Sequence, residues 1–341
     1  MIRRCCSWPA AGVTGALLAL LLGASMLAGC IAVTVPVYRI GVVLPLEGRY
    51  REVGYDVFYA SRVVILKALQ VASGQPYRVE LVIYDDFGEP GRAVALAEAL
   101  ARDPSVLVVI GHWRPDTTAA AVAVYQSAEL PLITAHGDTV GPGTPGVYVL
   151  DARPEERQAA LNAYLSAHSI QPTSIYQAES SGSVTEAAAL ALASEAPIRI
   201  GYADWGLSQF RALIQQALDN HDSQFWFITN AVWPADLPDG ALLSETIVRQ
   251  TIDTGDPILQ EPGPYAPLAY DSITLALEAI RRASAAGPLT RQAVAQAIAA
   301  VEVDGYTGPI SFGPDGFRRE APLYLYRWGD ESAPVLLERL P

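Results

Sequence analysis

The chain alternates short apolar runs with longer amphipathic stretches over most of its length. Tyr38–Leu44 and Val106–Ile110 are rich in β-branched residues and are followed by Pro or Gly, which predicts buried strands. Val57–Val71 and Arg92–Arg102 carry apolar residues at helical spacing. Repeated strand–helix–strand units require a parallel sheet covered by helices on both faces. The pattern therefore predicts an α/β fold.

The same alternation continues after a break at Gly141–Gly146, which is followed by the apolar segment Val147–Leu150. Gly308–Phe312, Asp315-Gly316 and Leu323–Trp328 are expected to form a hairpin that returns to the sheet. The other predicted strands are Val79–Tyr84, Leu132–Ala135, Ser174–Ala178, Ile198–Ala203, Phe225–Thr229 and Ala241–Ile247, and the other predicted helices are Thr117–Ser127, Glu155–His168, Val184–Ser194, Ser208–Asn220, Leu268–Ala285 and Thr290–Val301.

Composition narrows the class of protein. The 341 residues are 51% hydrophobic and 17% charged, which excludes intrinsic disorder because the chain can bury ample apolar surface. At roughly 100–200 residues per domain, this length predicts two domains. A net charge of -13 would repel nucleic acid, so no nucleic-acid partner is expected.

The N-terminal residues have the layout of an export signal. Arg3 and Arg4 precede the apolar run Ala16–Gly23, which is too short for a membrane span of ~20 residues. The ending Leu27–Cys30 (LAGC) resembles a bacterial lipobox, which implies cleavage after residue 29, lipid on Cys30 and a tether over residues 30–37. The alternatives are an ordinary signal peptide with a chance cysteine, or an uncleaved anchor helix.

Cleavage at this position would change both charge and cysteine content. It removes Arg3, Arg4 and two of the three cysteines, Cys5 and Cys6, but no acidic residue. The 23 basic residues become 21 against 36 acidic ones, so the net charge becomes -15. The processed chain has no internal disulfide and must rely on the size of its core for stability.

Several motifs occur in an order that resembles leucine-binding-type periplasmic receptors, the branched-chain amino-acid-binding proteins of ABC importers. They are Ile40–Leu46 with Gly54, Val79–Leu100, Val106–His112, Leu130–Thr134, Ala269-Tyr270-Asp271, Gly305–Phe312 and Asp315-Gly316. The resemblance implies the type I periplasmic-binding-protein fold, with a ligand cleft between two α/β lobes. It also implies a lipid-anchored solute receptor that works as a monomer with an ABC permease at the cell membrane.

Two discontinuous lobes are expected from this resemblance. Lobe 1 would comprise residues 38–148 and 265–322, and lobe 2 residues 149–264 and 323–341. Val184–Ser194 runs almost directly into Ile198–Ala203, where the family has a further strand and helix, so lobe 2 is predicted to be shortened.

Candidate ligand-binding residues follow the predicted strands, since ligands of open α/β sheets bind outside the strands' carboxyl ends. Arg114 could receive a carboxylate with two hydrogen bonds, or could pair with Asp116 at the surface. His112 could contact ligand or pack its own loop, and Trp113 could form an apolar wall or a lobe–lobe contact. Asp85 and Asp86 are interpreted as a turn and helix N-cap. The candidates are Leu46, Glu47, His112, Trp113, Arg114, Thr117, His136, Gly137, Asp138, Glu179, Trp205, Asn230 and Trp233.

Other chemistries have weaker support. His112, Asp116, His136 and Asp138 could converge on a metal, but no H-x-x-x-H or C-x-x-C spacing supports them. Glu179–Gly182 lacks the G-x-S-x-G elbow of a hydrolase. No enzyme activity, metal or cofactor is therefore expected. The expected ligand is an amino acid, amide or carboxylate-like molecule, and the alternative function is a non-transport envelope lipoprotein that serves as a sensor or protein-interaction module.

Overall fold

The computed structural model describes residues 35–48, 50–71, 75–135, 140–167, 265–328 and 334–340, together with strands at 174–178, 198–202, 226–228 and 242–245. The first part of the chain alternates strand and helix as the sequence predicts. Its elements are β1 (Val37–Leu44), α1 (Arg51–Val71), β2 (Arg78–Asp85), α2 (Pro90–Arg102), β3 (Val106–Ile110), α3 (Pro115–Ser127), β4 (Leu132–Thr134) and β5 (Val147–Val149).

These five strands form one parallel sheet in the order β2-β1-β3-β4-β5. Ile40, Val42 and Leu44 of β1 belong to the core cluster that contains residues of α1, whereas Val43 packs in the cluster that contains residues of α2 and α3. This alternation follows from the period of two along a strand. Both faces of the sheet are therefore covered. The chain continues from β1 into α1 on one face and from β3 into α3 on the other.

The later elements complete the first sheet's cover and build a second sheet. They are α4 (Pro154–Ala167), β6 (Ser174–Ala178), β7 (Ile198–Tyr202), β8 (Trp226–Ile228), β9 (Leu242–Glu245), α5 (Ala266–Ala286), α6 (Arg291–Ala299), β10 (Val303–Gly305), β11 (Gly308–Ile310), β12 (Tyr324–Trp328) and β13 (Pro334–Arg339). The second sheet has the order β13-β12-β9-β8-β7-β6. Strands β6 to β9 are parallel, and β12 is antiparallel to both β9 and β13.

The structure corrects two predictions about these elements. Helix α1 begins at Arg51 rather than Val57, and the buried Val53 belongs to its first turns. The prediction of a single C-terminal hairpin is wrong. Gly308–Ile310 pairs with Val303–Gly305 in a separate two-stranded sheet, while Tyr324–Trp328 joins the second sheet. The predicted helices Val184–Ser194 and Ser208–Asn220 lie outside the described residues.

A buried ion network fixes the β10–β11 hairpin against α5. The Asp271 carboxylate accepts hydrogen bonds from the Tyr306 and Thr307 backbone N–H groups and from the Thr307 hydroxyl, at 2.6–2.9 Å. Arg318 donates to the Thr307 hydroxyl and to the Pro309 carbonyl, both at 2.8 Å. Burial raises the pKa of Asp271 and lowers the pKa of Arg318 to about 10. The Gly305–Phe312 motif therefore has a structural role.

Candidate functional site

The first sheet has a switch point between β1 and β3, where the strand order reverses direction. The chain leaves β1 toward one face and β3 toward the other, so the loops after these strands diverge. In open α/β sheets, such divergence leaves a crevice at the carboxyl edge. The loop after β1 holds Leu46 and Glu47, and the loop after β3 holds Gly111–Arg114.

The loop after β1 is held in place by Asp85 at the end of β2. One Asp85 carboxylate oxygen accepts hydrogen bonds from the Leu46 N–H at 2.9 Å and from the Phe87 N–H at 2.8 Å. Leu46 is half-buried and Glu47 is exposed. Of the charged candidate residues that the structure describes, Glu47 is therefore accessible to a solute without rearrangement of its loop.

The Asp85-Asp86 pair builds the turn before α2, as expected from the sequence. Asp86 Oδ1 accepts a hydrogen bond from the Gly88 N–H at 2.9 Å. The predicted N-cap is wrong, because the residue that caps α2 is Glu89, whose side chain makes no capping bond, and Pro90 opens the helix. Asp86 has a different partner, which lies in the next strand's loop.

His112 is held between two buried side chains. Its Nδ1 lies 2.7 Å from Asp86 Oδ2, and its Nε2 lies 3.1 Å from the Tyr125 hydroxyl. A neutral ring that donates from Nδ1 and accepts at Nε2 satisfies all three groups. Burial and the charge of Asp86 raise the pKa of Tyr125, which keeps its proton on the phenol oxygen. Both ring nitrogens of His112 are therefore used in hydrogen bonds to Asp86 and Tyr125, which hold the loop of His112 in place.

Trp113 follows His112 and is only 2% exposed. It belongs to the large core cluster that includes Leu44, Val53 and Tyr265. Its Nε1 has no hydrogen-bond partner among the residues that the structure describes. A buried N–H without a partner costs free energy. Trp113 therefore stabilises the fold through the buried apolar area of its ring and not through a hydrogen bond.

Arg114 is buried by an aromatic ring and by an ion pair. Its guanidinium lies 3.8 Å from the centre of the Tyr50 ring and donates to both oxygens of Asp116, at 3.0 and 2.7 Å. Gly88 makes room for this arrangement, since a Cβ there would lie 2.8 Å from the Tyr50 ring. The pairing alternative is thus observed, although its arginine is 6% exposed rather than at the surface. A role in carboxylate binding stays a prediction.

Three threonine hydroxyls secure the backbone of the same loop. Thr117 Oγ1 donates to the Arg114 carbonyl at 3.1 Å. Thr118 Oγ1 lies 2.8 Å from the Arg114 carbonyl and 3.1 Å from the His112 carbonyl, and Thr134 Oγ1 lies 3.4 Å from the latter. These bonds make the β3–α3 loop a preorganised platform at the switch point.

The remaining predicted site residues belong to parts of the chain that the structure does not describe. His136, Gly137, Asp138, Glu179, Trp205, Asn230, Trp233 and the lipidation candidate Cys30 lie outside the described residues. Within the described ranges, no group of three or more His, Cys, Asp or Glu side chains is placed to hold a metal. Sequence reasoning missed Tyr50 and Tyr125, whose contacts with Arg114 and His112 have no local signal.

A family model described as a periplasmic binding protein matches residues 37–239 and 205–333, which is most of the chain. The chain belongs to the periplasmic binding protein family. This confirms the resemblance and the α/β fold inferred from the motifs. No curated protein matches the chain.

Solved periplasmic binding proteins share its fold. LivJ from Streptococcus pneumoniae, in complex with isoleucine, is 16% identical with a TM-score of 0.68, covering 88% of this chain and 99% of its own. A fatty acid ABC transporter substrate-binding protein from Thermomonospora curvata is 15% identical with a TM-score of 0.72, covering 90% and 92%. An R. palustris solute-binding protein in complex with benzoate is 14% identical with a TM-score of 0.67, covering 89% and 97%.

In this periplasmic binding protein, no helix of the described ranges is both long and apolar enough to cross a bilayer.

Proposed function

We propose that the chain is an extracytoplasmic, lipid-anchored receptor that delivers a small amino acid, amide or carboxylate-like ligand to an ABC importer. The observation that carries this proposal is the β1/β3 switch point, with a preorganised loop at its carboxyl edge, in a chain of the periplasmic binding protein family. Binding rather than catalysis is the expected activity.

The proposed lobes follow the two sheets. Residues 38–148 and 265–322 would form lobe 1, since they hold the first sheet except for Val37 and Val149, together with the helices α5 and α6 that cover it. Residues 149–264 and 323–341 would form lobe 2, which contains the second sheet. Ligand between the lobes would stabilise the closed form through contacts that exist only there.

The ligand would meet lobe 1 at the loops after β1 and β3. Leu46 and Glu47 would contribute from the first loop, and Trp113, Arg114 and Thr117 from the second. Because Asp116 already neutralises Arg114, a ligand carboxylate would depend more on backbone N–H groups than on this cation. The proposed contacts outside the described residues are His136, Gly137, Asp138, Glu179, Trp205, Asn230 and Trp233.

Thermal unfolding in the presence of amino acids, short amides, ureas and carboxylates tests the receptor function. A true ligand at 100 times its Kd adds about 2.7 kcal/mol to the free energy of unfolding, which gives a clear and concentration-dependent rise in Tm. No rise with any compound of the panel would contradict the proposal.

The lipid anchor has its own test. Metabolic labelling with radioactive palmitate should label the wild-type chain, and Cys30→Ala should abolish the label and block processing. Equal labelling of both proteins would refute lipidation at Cys30.

A second candidate function is that of a non-transport envelope lipoprotein that senses or binds another protein. The internal bonding of His112, Arg114 and Thr117 favours it, because these polar side chains already have partners within the protein. A panel without any stabilising compound, together with capture of a defined envelope protein, would support this function over the first.

A further inference from the structure

A groove of about 600 Å³ opens at the amino-terminal edge of the first sheet, opposite the candidate ligand site at the carboxyl edge. It lies between α1, α5 and the start of β2. Its walls include the apolar side chains of Val64, Ile65, Val79 and Leu277. Ile65, Val79 and Leu277 are half-buried, and the groove residue Gln75 is exposed. This end therefore presents apolar surface that the proposed ligand site does not use.

The N-terminal segment joins the folded body beside this groove. The backbone N–H of Arg78, a groove residue, donates to the Pro36 carbonyl at 2.9 Å. The ring of Tyr77, also in the groove, lies 6.2 Å from that of Tyr38. An extended chain spans at most about 3.6 Å per residue, so the five residues from Cys30 to Val35 can reach at most about 18 Å. A lipid on Cys30 would keep the groove close to the bilayer.

The net charge around the groove is positive, whereas the net charge of the whole chain is negative. Lys67 lies with its Nζ 5.4 Å from the Tyr270 ring, and the Arg78 side chain is 67% exposed. A single carboxylate, Glu278, accepts hydrogen bonds from both Arg281 and Arg282.

Among the residues that the structure describes, the charged ones that line the groove are three cations, Lys67, Arg78 and Arg281, and one carboxylate, Glu278. Glu80 lies 3.6 Å from Arg78 and adds a second carboxylate. A local positive surplus in a chain of net charge -13 complements an anionic surface.

We propose that this groove binds anionic phospholipid of the membrane that holds Cys30. The acyl portion would pack against Val64, Ile65 and Leu277, and the phosphate would pair with Lys67 and Arg78. The proposal rests on the lipid anchor proposed above. Lipid bound here would hold the first sheet at the bilayer in addition to the covalent anchor, because one weak contact gains strength when a tether raises its effective concentration.

A single fluorophore tests this proposal on the lipidated protein in vesicles. The processed chain has no cysteine other than Cys30, so Gln75→Cys, at an exposed residue that lines the groove, can be labelled selectively with an environment-sensitive dye. Dye emission should shift to the blue in vesicles that contain phosphatidylglycerol, relative to phosphatidylcholine alone. The shift should shrink at high salt and disappear in the double variant Lys67→Glu/Arg78→Glu.

Matched controls separate the groove from general membrane proximity. A dye at Ala95→Cys, exposed on α2, should give the same emission in both vesicles. Arg92→Glu/Arg102→Glu reverses two charges on α2 and should leave the shift of the dye at position 75 intact.

Equal emission of the dye at position 75 in both vesicles, or a shift that survives Lys67→Glu/Arg78→Glu, would overturn the proposal. A shift that requires added permease would overturn it in favour of a protein partner. Failure of the protein to float with any vesicles would refute the anchor and this proposal together, whereas normal flotation without a shift refutes the groove alone.

Discussion

Arg153 and Asp315 form a two-point ion pair that joins the start of α4 to the loop before Phe317. Arg153 Nε lies 2.8 Å from Asp315 Oδ2, and Nη2 lies 3.0 Å from Oδ1. The same guanidinium donates to Glu156 of α4 at 2.7 Å. The loop that holds Asp315 is bonded in turn to β5, since the Val149 N–H donates to the Gly316 carbonyl. Arg153 therefore fixes α4 against the first sheet where the chain leaves it.

Asp315→Asn should lower the free energy of unfolding by about 1 kcal/mol at pH 7, the upper range for a partly exposed ion pair. The hydrogen bond from Arg153 lowers the pKa of Asp315 below its usual value. The contribution is thus complete above the unfolded pKa of about 3.9 and is lost as the pH falls through the lower folded value. Urea unfolding at pH 7 and pH 3 measures both effects.

The exposed Asp304 provides a matched control for this pair. Asp304→Asn should leave the unfolding midpoint unchanged at pH 7. If Asp315→Asn behaves like this control, the ion pair does not stabilise the junction.

Removal of the His112 ring should cost about 3 kcal/mol, because His112→Ala leaves the buried Asp86 carboxylate and Tyr125 hydroxyl without their partner. Tyr125→Phe removes a single hydroxyl and should cost about 1 kcal/mol. Chemical unfolding of both variants gives the comparison. Equal costs, or a greater cost for Tyr125→Phe, would contradict the role of His112 as the central member of this network.

Gly54 is required because α1 passes against the loop after β1. A Cβ at this position would lie 1.9 Å from the Pro45 carbonyl oxygen. Gly54→Ala should therefore displace the β1–α1 loop and reduce stability by about 3 kcal/mol, as for other overpacking. Gly91→Ala on α2, where a Cβ meets nothing within 4 Å, should be neutral or stabilising. Equal Tm values for the two variants would exclude this close approach.

Arg291 binds the ends of two helices on the first sheet. Its guanidinium donates to the carbonyls of Asp103 at 2.7 Å, Ala101 at 3.0 Å and Ala128 at 3.1 Å, and to that of Val106 at 3.0 Å. Burial lowers the pKa of Arg291. Lysine cannot reproduce this planar fork, so Arg291→Lys should cost about 2 kcal/mol in urea unfolding.

Arg102→Lys is the control for Arg291, because Arg102 is 74% exposed in its pair with Glu98. It should change stability by less than about 0.5 kcal/mol. A similar small change for Arg291→Lys would show that water replaces the lost bonds.

Local patterns predicted the first sheet well because its strands are short runs dominated by apolar residues. β3 has the predicted bounds Val106–Ile110, and β1 differs from its prediction by one residue. The end of the chain was mispredicted because Tyr324–Trp328 pairs with Leu242–Glu245, far away in sequence. Nothing near Tyr324 indicates that partner.

The candidate site shows the same limit. Its position followed from the strand ends, but the partners of its side chains depend on tertiary contacts. Tyr125 reaches His112 from the far part of α3, and Tyr50 reaches Arg114 across Gly88. The spacing of these residues in sequence contains no sign of either contact.

The measurement that tests the central claim most directly is isothermal titration of the best stabilising compound into the wild-type protein and into Glu47→Gln. We expect one molecule bound per chain and at least a several-fold weaker Kd for Glu47→Gln, because Glu47 is exposed at the carboxyl edge of the first sheet. Glu98→Gln on α2 should bind like the wild type. Absence of saturable binding, or identical Kd values for all three proteins, would contradict a ligand site at this edge.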